Sequence, residues 1–278
     1  TTSWHRRSCG SIWLGLSSAA WRESWTVSPT TTEHRPIFWW SAGLADLPES
    51  GIWVDEREAL RFGSMEYTKR REEAFLARYT AKSTLARFLD RPTDPAALRT
   101  ITVANAPDGA PEVLVDGSPA NLVVAMTDRA DWAVTAVLAG DDRVGCDLEL
   151  VEPRSELFVR DYFTDQEQMT TRDSADPNLT ANLIWSAKES ALKALRTGLR
   201  RDTRSVEVHL GASTGSGWNP LTVVASEGTE FPGWWVRYDE FVLTMAAAVP
   251  TASPSSLEEP PPLASATPGH SWMRRPKT

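Results

Sequence analysis

The chain has 278 residues, 41% hydrophobic and 24% charged, which suits one ordinary domain or two small fused ones. A formal net charge of -8 gives no overall basic field and argues against a nucleic-acid partner. Two cysteines and four scattered histidines exclude a disulfide framework, a thiolate metal site and a His-based zinc or triad site. No apolar run approaches the roughly eighteen residues of a membrane span.

Residues 1–36 are rich in Ser, Thr and Trp without a sustained period, and a poorly ordered leader is expected there. The apolar stretch behind Arg6-Arg7 is short and Ser-interrupted, unlike a signal-peptide core. Ordered structure is expected from Ile37-Phe-Trp-Trp40. Leu47-Pro-Glu-Ser-Gly51 marks a turn, and Asp55 caps a helix running to about Phe62. Ala74, Phe75, Leu85, Phe88 and Leu89 supply the apolar stripe of a long helix from Tyr67 to Leu89, which Asp90-Arg-Pro-Thr-Asp-Pro95 ends. Strands are predicted at Ile101–Val103, Glu112–Val115, Leu122–Met126 and Trp132–Leu138, the last two flanking a turn at Asp128–Asp131.

A second cycle follows. A strand at 144–151 leads to a helix around Leu157–Tyr162, and polar Thr170–Thr180, with Asp176-Pro177, predicts an exposed loop. Ile184, Ala187, Ala191 and Leu195 recur at the spacing of a helix with one apolar face. Strands are predicted at Ser205–Leu210, Trp234–Arg237 and Phe241–Val249. From Pro250 no periodic apolar pattern survives, which predicts a disordered Pro/Ser-rich tail over 251–278.

Chemistry concentrates in two stretches. In Val144-Gly-Cys-Asp-Leu-Glu-Leu-Val151, Val144, Cys146, Leu148 and Leu150 face one way and Asp147 and Glu149 the other. Residues two apart on a strand lie about 6.5–7 Å apart on one face, so both carboxylates reach toward a single ion. Trp185, Glu189 and Lys193 stack four apart on the predicted helix. Glu189 and Lys193 form a favourable surface pair on the plainest reading. On the sharper one, Glu189 completes an all-oxygen set with Asp147 and Glu149, the chemistry of Mg²⁺. Two basic islands stand out of the acidic background: residues 69–82 carry net +3 and residues 185–204 net +4. They suit an anionic small ligand or an acidic partner, or equally two solvated helix faces.

An internal echo accompanies these motifs. Tyr79–Leu89 lies over Trp185–Leu195 at an offset of 106 residues, with Lys82 over Lys188. Trp132-Ala-Val-Thr135 lies over Phe241-Val-Leu-Thr244 at an offset of 109. Two similar halves are therefore expected, 37–143 and 144–250. Ser83 stands where the second half has Glu189, so any metal chemistry belongs to that second half.

Gly145-Cys-Asp147-Leu-Glu149 followed by Trp185-Ser-Ala-Lys188-Glu189-Ser-Ala-Leu-Lys193 resembles the paired signature of the 4'-phosphopantetheinyl transferases, in their longer, surfactin-synthetase-type class. The resemblance spans about residues 53–249. It implies an α+β fold of two α/β halves related by pseudo-twofold symmetry, acting as a cytoplasmic monomer. It also implies Mg²⁺-dependent (or Mn²⁺-dependent) transfer of the phosphopantetheine arm of coenzyme A to a serine of an acyl or peptidyl carrier protein, in fatty-acid, polyketide or nonribosomal-peptide synthesis. Asp147, Glu149 and Glu189 then hold the metal, Glu189 or a water it orients takes the serine proton, and Lys193 stabilises or protonates the leaving phosphate. Lys188 holds the diphosphate or the 3'-phosphate, Arg71, Arg78 and Lys82 meet the 3'-phosphate, and Thr127 donates a hydrogen bond. The acidic carrier lands on the 185–204 island, with Phe163, Met169 and the 164–180 stretch as apolar contacts. One departure stands out: Asp128 occupies the position of a family His near the coenzyme A phosphates, where an acid is unfavourable unless it faces adenine or pairs with Arg129. The alternatives are a non-catalytic member that binds coenzyme A or a carrier protein, and a diphosphate hydrolase with water in place of serine.

Overall fold

The computed structural model describes residues 34–49, 51–212 and 217–269. The expected leader lies outside them apart from 34–36. In the first half, β1 (Pro36–Gly43) precedes helices α1 (Glu56–Gly63), α2 (Thr68–Phe88) and α3 (Pro95–Arg99). Strands β2 (Ile101–Asn105), β3 (Pro111–Val115) and β4 (Ser118–Pro119) form a small antiparallel sheet, and β5 (Leu122–Arg129) pairs with β6 (Trp132–Ala139). The second half runs through β7 (Val144–Leu150), α4 (Glu156–Tyr162), α5 (Asp165–Asp173) and α6 (Pro177–Ala194). It then adds β8 (Val206–Leu210), β9 (Asn219–Ala225), β10 (Glu230–Tyr238) and β11 (Phe241–Ala247), and β12 (Ala252–Ser256) follows. The fold is a mixed α+β one.

Two larger sheets, ordered β12-β1-β6-β5 and β7-β11-β10-β9-β8, share one core. Period-two alternation decides which residues enter it. Ile37 and Trp39 of β1 and Val134, Ala136 and Leu138 of β6 meet Val144, Cys146, Leu148 and Leu150 of β7 and Phe241, Leu243 and Met245 of β11 there. On the far side of the second sheet, Val242 and Ala246 of β11 pack on Ile184, Ala187 and Ala191 of α6, the apolar face expected from the sequence. Helix α2 covers the first sheet in the same way through Ala81 and Leu85.

Each half buries a Lys–Glu pair of the same design. Glu58 is the third residue of α1 and forms a capping box with Asp55. It also accepts from the Val103 amide at 3.3 Å and pairs with the fully buried Lys82. Glu167 is the third residue of α5 and forms a capping box with Thr164. It accepts from the Val208 amide at 2.8 Å and pairs with the fully buried Lys188, also at 2.8 Å. In each case one carboxylate ties a helix start, a strand and the central helix together, with its donors satisfied locally.

Two sequence expectations are corrected. Residues 170–180 are not a loop: α5 runs to Asp173, and Asp176 caps α6 with Pro177 in its first turn. Helix α5 carries little apolar periodicity, which hides it from pattern reading although Thr164 and Glu167 form a capping box at its start. Nor are residues 252–269 a disordered tail. Strand β12 adds parallel to β1, Leu263 and Ala266 enter the central core, and the Leu263 amide donates to Ser41 Oγ at 3.0 Å. Proline and serine here make an edge strand and a wrapped segment, which need no period of their own.

Candidate active site

The site forms where α6 crosses β7, and Gly145 is what lets it. A Cβ at Gly145 would lie 1.9 Å from the Ser190 carbonyl oxygen, so only glycine admits the helix this close. Ser186 Oγ anchors the crossing by donating to the Asp147 carbonyl at 3.0 Å. The outward face of β7 thereby meets Trp185, Glu189 and Lys193.

Asp147 is 7% exposed. Its Oδ1 accepts from Lys193 Nζ at 2.8 Å and from Thr127 Oγ1 at 3.2 Å. Its Oδ2 is buried without a partner, and so is Oε1 of Glu189. Burial, and next the negative charge of Asp147, push the Glu189 carboxyl up to about 7. Burial works against the Lys193 ammonium, but the negative charge and hydrogen bond of Asp147, with Glu189 beside it, together hold the lysine above its ordinary value. Lys193 also donates to the Cys146 carbonyl at 2.9 Å. Two unpartnered, buried carboxylate oxygens are oxygen donors of the kind a hard divalent cation takes.

Glu149 is engaged otherwise. Its Oε1 accepts from Trp185 Nε1 at 3.0 Å, and its Oε2 pairs with Arg129 Nε at 3.2 Å and Arg154 Nη2 at 3.1 Å. Among the described residues no group of three or more His, Cys, Asp or Glu side chains is placed to hold one ion. All three carboxylates of the expected set thus keep one buried oxygen without a hydrogen-bond donor, and that of Glu149 alone is ion-paired with two arginines. Trp185 itself packs edge-on against Phe158 and Tyr162.

Several expected phosphate ligands lie elsewhere. Lys188 is fully buried, and its three donors go to Glu167, the Thr203 carbonyl and the Val206 carbonyl. Lys82 is likewise sealed against Glu58 and the Trp53 carbonyl. Both ammonium groups are fully buried with partners around them, as a buried lysine requires. Arg78 is 4% exposed and bonded to Asn105 and Met126, one layer behind a cavity wall. Arg71 sits half-buried near the start of α2 and lines no cavity described here. Thr127 spends its hydroxyl on Asp147 and on the Leu148 amide, so it orients the carboxylate rather than a phosphate. Phe163 is fully buried and offers no surface to a partner, whereas Met169 is exposed.

A cavity of about 350 Å³ opens beside Lys193, large enough for part of a nucleotide-sized ligand. Arg143, Arg196 and Arg200 join Lys193 in its wall, facing Val123–Met126 of β5 and the β2–β3 turn. That turn is tied to the far side, since Asp108 Oδ2 pairs with Arg196 at 3.6 Å and its carbonyl accepts from Arg200 at 3.1 Å. Asp128 is at the other side of β5, in a recess of about 20 Å³ with Lys69, Glu72 and Glu73, room for a water and little else. Partial desolvation and then Glu73 raise its carboxyl above the usual range. Lys193 and, to a smaller extent, Arg129 offset the rise only in part, Arg129 being paired with Glu149 and Glu152.

Sequence reading offered Arg129 as a partner for Asp128, whereas it pairs with Glu149 and Glu152, and missed Arg154, Arg143 and the part played by Gly145. Isolated arginines on strand ends carry no periodic signal; Gly145 inside an alternating strand was the one available cue to a close approach.

A family model, the 4'-phosphopantetheinyl transferase superfamily, matches residues 143–227, from the start of β7 to the turn after β9. The match covers less than half of the chain and includes Asp147, Glu149, Glu189 and Lys193. Its description is that of transferases of the phosphopantetheine group. No curated protein matches the chain. Among the described residues no helix is long and apolar enough to cross a membrane.

Proposed function

We propose that the chain transfers the phosphopantetheine arm of coenzyme A to a serine hydroxyl of an acyl or peptidyl carrier protein, with Mg²⁺ or Mn²⁺ held at Asp147 and Glu189. The carrying observation is the pair of buried, unpartnered carboxylate oxygens beside Lys193 at the edge of an arginine-lined cavity. The superfamily match over the same residues supports it. So does the repeated Lys–Glu design, which favours two copies of one ancestral half with a single working site in the second.

In this reading a divalent cation bound there offsets charge on the diphosphate oxygens. Glu189, with its carboxyl near 7, is suited to take the serine proton around neutral pH. The serine oxygen–phosphorus bond forms as the bond from phosphorus to the adenosine-bearing phosphate breaks. Lys193, held firmly charged by Asp147, stabilises the departing phosphate as a fixed cation and is a poor proton donor. Arg143, Arg196 and Arg200 take over the anion-binding part expected of Lys82 and Lys188.

The test is the intact mass of an apo carrier protein after incubation with the chain, coenzyme A and Mg²⁺. A gain of one phosphopantetheine arm is expected, lost with a chelator and reduced about 10²–10³-fold in rate by Glu189→Ala. Consumption of coenzyme A without a gain on the carrier would indicate diphosphate hydrolysis instead. Binding of coenzyme A without turnover would favour the non-catalytic reading, which the arginine-bound Glu149 and Asp128 already lean toward.

A further inference from the structure

We infer that Glu149 is a positioning residue rather than a metal ligand in this chain: it pins Arg129 and Arg154 beside a cation site whose protein ligands are Asp147 and Glu189 alone. The inference rests on the reading above that these carboxylates bind a divalent cation.

Asp147 and Glu189 each leave one buried oxygen without a partner. Glu149 Oε2 likewise has no hydrogen-bond donor, but unlike them it is ion-paired with two guanidinium groups. Two guanidinium groups stand within 3.2 Å of Oε2, and Trp185 donates to Oε1. A dication at Oε2 would face two positive charges at contact distance in a poorly solvated site. The arginines are themselves held in place. Arg129 Nη2 reaches Glu152 at 3.4 Å, and Arg154 Nε donates to Asn182 Oδ1 at 2.7 Å with its guanidinium 4.7 Å from the Phe158 ring centre. Asn182 is fixed in turn by the carbonyls of Glu152 and Asn178. Swinging Glu149 to a cation would remove a charge partner of each arginine, leaving Arg129 only Glu152, and the acceptor of Trp185 as well. The arginines thus give the site a second cationic side, beyond Lys193, toward which anionic oxygens of a substrate are drawn.

The experiment titrates Mn²⁺ into the whole chain and its variants, reading free and bound ion by electron paramagnetic resonance. Line broadening in ¹⁷O-enriched water counts the waters on the bound ion. Glu149→Gln is expected to change affinity by less than about threefold, and Asp147→Asn or Glu189→Gln to weaken it by about tenfold or more. With two protein oxygens in a roughly octahedral shell, about four waters are expected on the ion in the wild-type chain and the same number in Glu149→Gln. Loss of Mn²⁺ binding in folded Glu149→Gln, or about three waters in the wild-type chain, would overturn the inference. If Glu149→Gln does not fold, the wild-type water count decides by itself. Arg129→Gln adds an independent check: binding tightened about tenfold would mean that the arginine restrains a latent ligand, and would also overturn it. Failure of the wild-type chain to bind Mn²⁺ at all overturns the metal reading and this inference together, whereas loss confined to Glu149→Gln overturns this inference alone.

Discussion

Glu189 stores an unfavourable charge. Its carboxyl is raised from 4.5 to about 7, by burial first and by Asp147 next. The folded chain therefore holds this proton more tightly than the unfolded chain. The penalty is absent below about pH 4.5, grows as pH rises, and is complete above about pH 7. Glu189→Gln should thus stabilise the metal-free protein at pH 8 by up to roughly 3 kcal/mol, with the gain fading toward pH 5. Urea unfolding in chelator at the two pH values checks this, and an equal gain at both would contradict it. For the same reason Mg²⁺, which needs the carboxylate, should raise the melting temperature more at pH 8 than at pH 6. Cys146 makes a second residue-scale case. Burial pushes its thiol up to about 12, so iodoacetamide should leave it unmodified in the native chain and label it in denaturant, as read by peptide mass.

At the scale of elements, the crossing of α6 over β7 is the feature everything at the site depends on. Gly145→Ala puts a methyl group into the Ser190 carbonyl. Relief requires the helix to move, so a loss of about 3 kcal/mol or more is expected, at the upper end for overpacking. Glu189 would then draw away from Asp147, and Mn²⁺ binding should weaken along with stability. The buried pairs behave differently. Lys188→Met strands Glu167 in the core and should destabilise by about 3–5 kcal/mol, while Lys188→Met with Glu167→Leu should recover much of it. If Lys188 held phosphate instead, the folded double variant would show a raised KM for coenzyme A; an unchanged KM is expected.

Over the whole molecule, the residues after Pro250 close the first sheet. Beyond β12, the Leu257 amide donates to the Trp39 carbonyl at 2.9 Å and Trp132 Nε1 donates to the Thr267 carbonyl at 3.0 Å. Leu263 is 1% exposed. Leu263→Ala should cost about 2–5 kcal/mol in chemical denaturation, the range for a leucine deleted from a core. A disordered tail would give no change.

The sequence by itself determined the elements with strong local signatures. Asp55 capped its helix, α2 began and ended within one residue of its expected bounds, and β7 alternated as read because period two needs no partner to be visible. Asp147, Glu189 and Lys193 converge because their spacing places each on one face of its own element. The tertiary structure alone decided which charges remain available. It buries Lys82 and Lys188 against Glu58 and Glu167, more than twenty residues away in each half. It sets Arg129 and Arg154 against Glu149. Residues 252–269 look structureless until β1 offers an edge and the central core a place for Leu263. Apart from Arg154, five residues beyond Glu149, the deciding partners are distant in sequence, and burial, which sets whether a charge is paired or free, belongs to the folded chain.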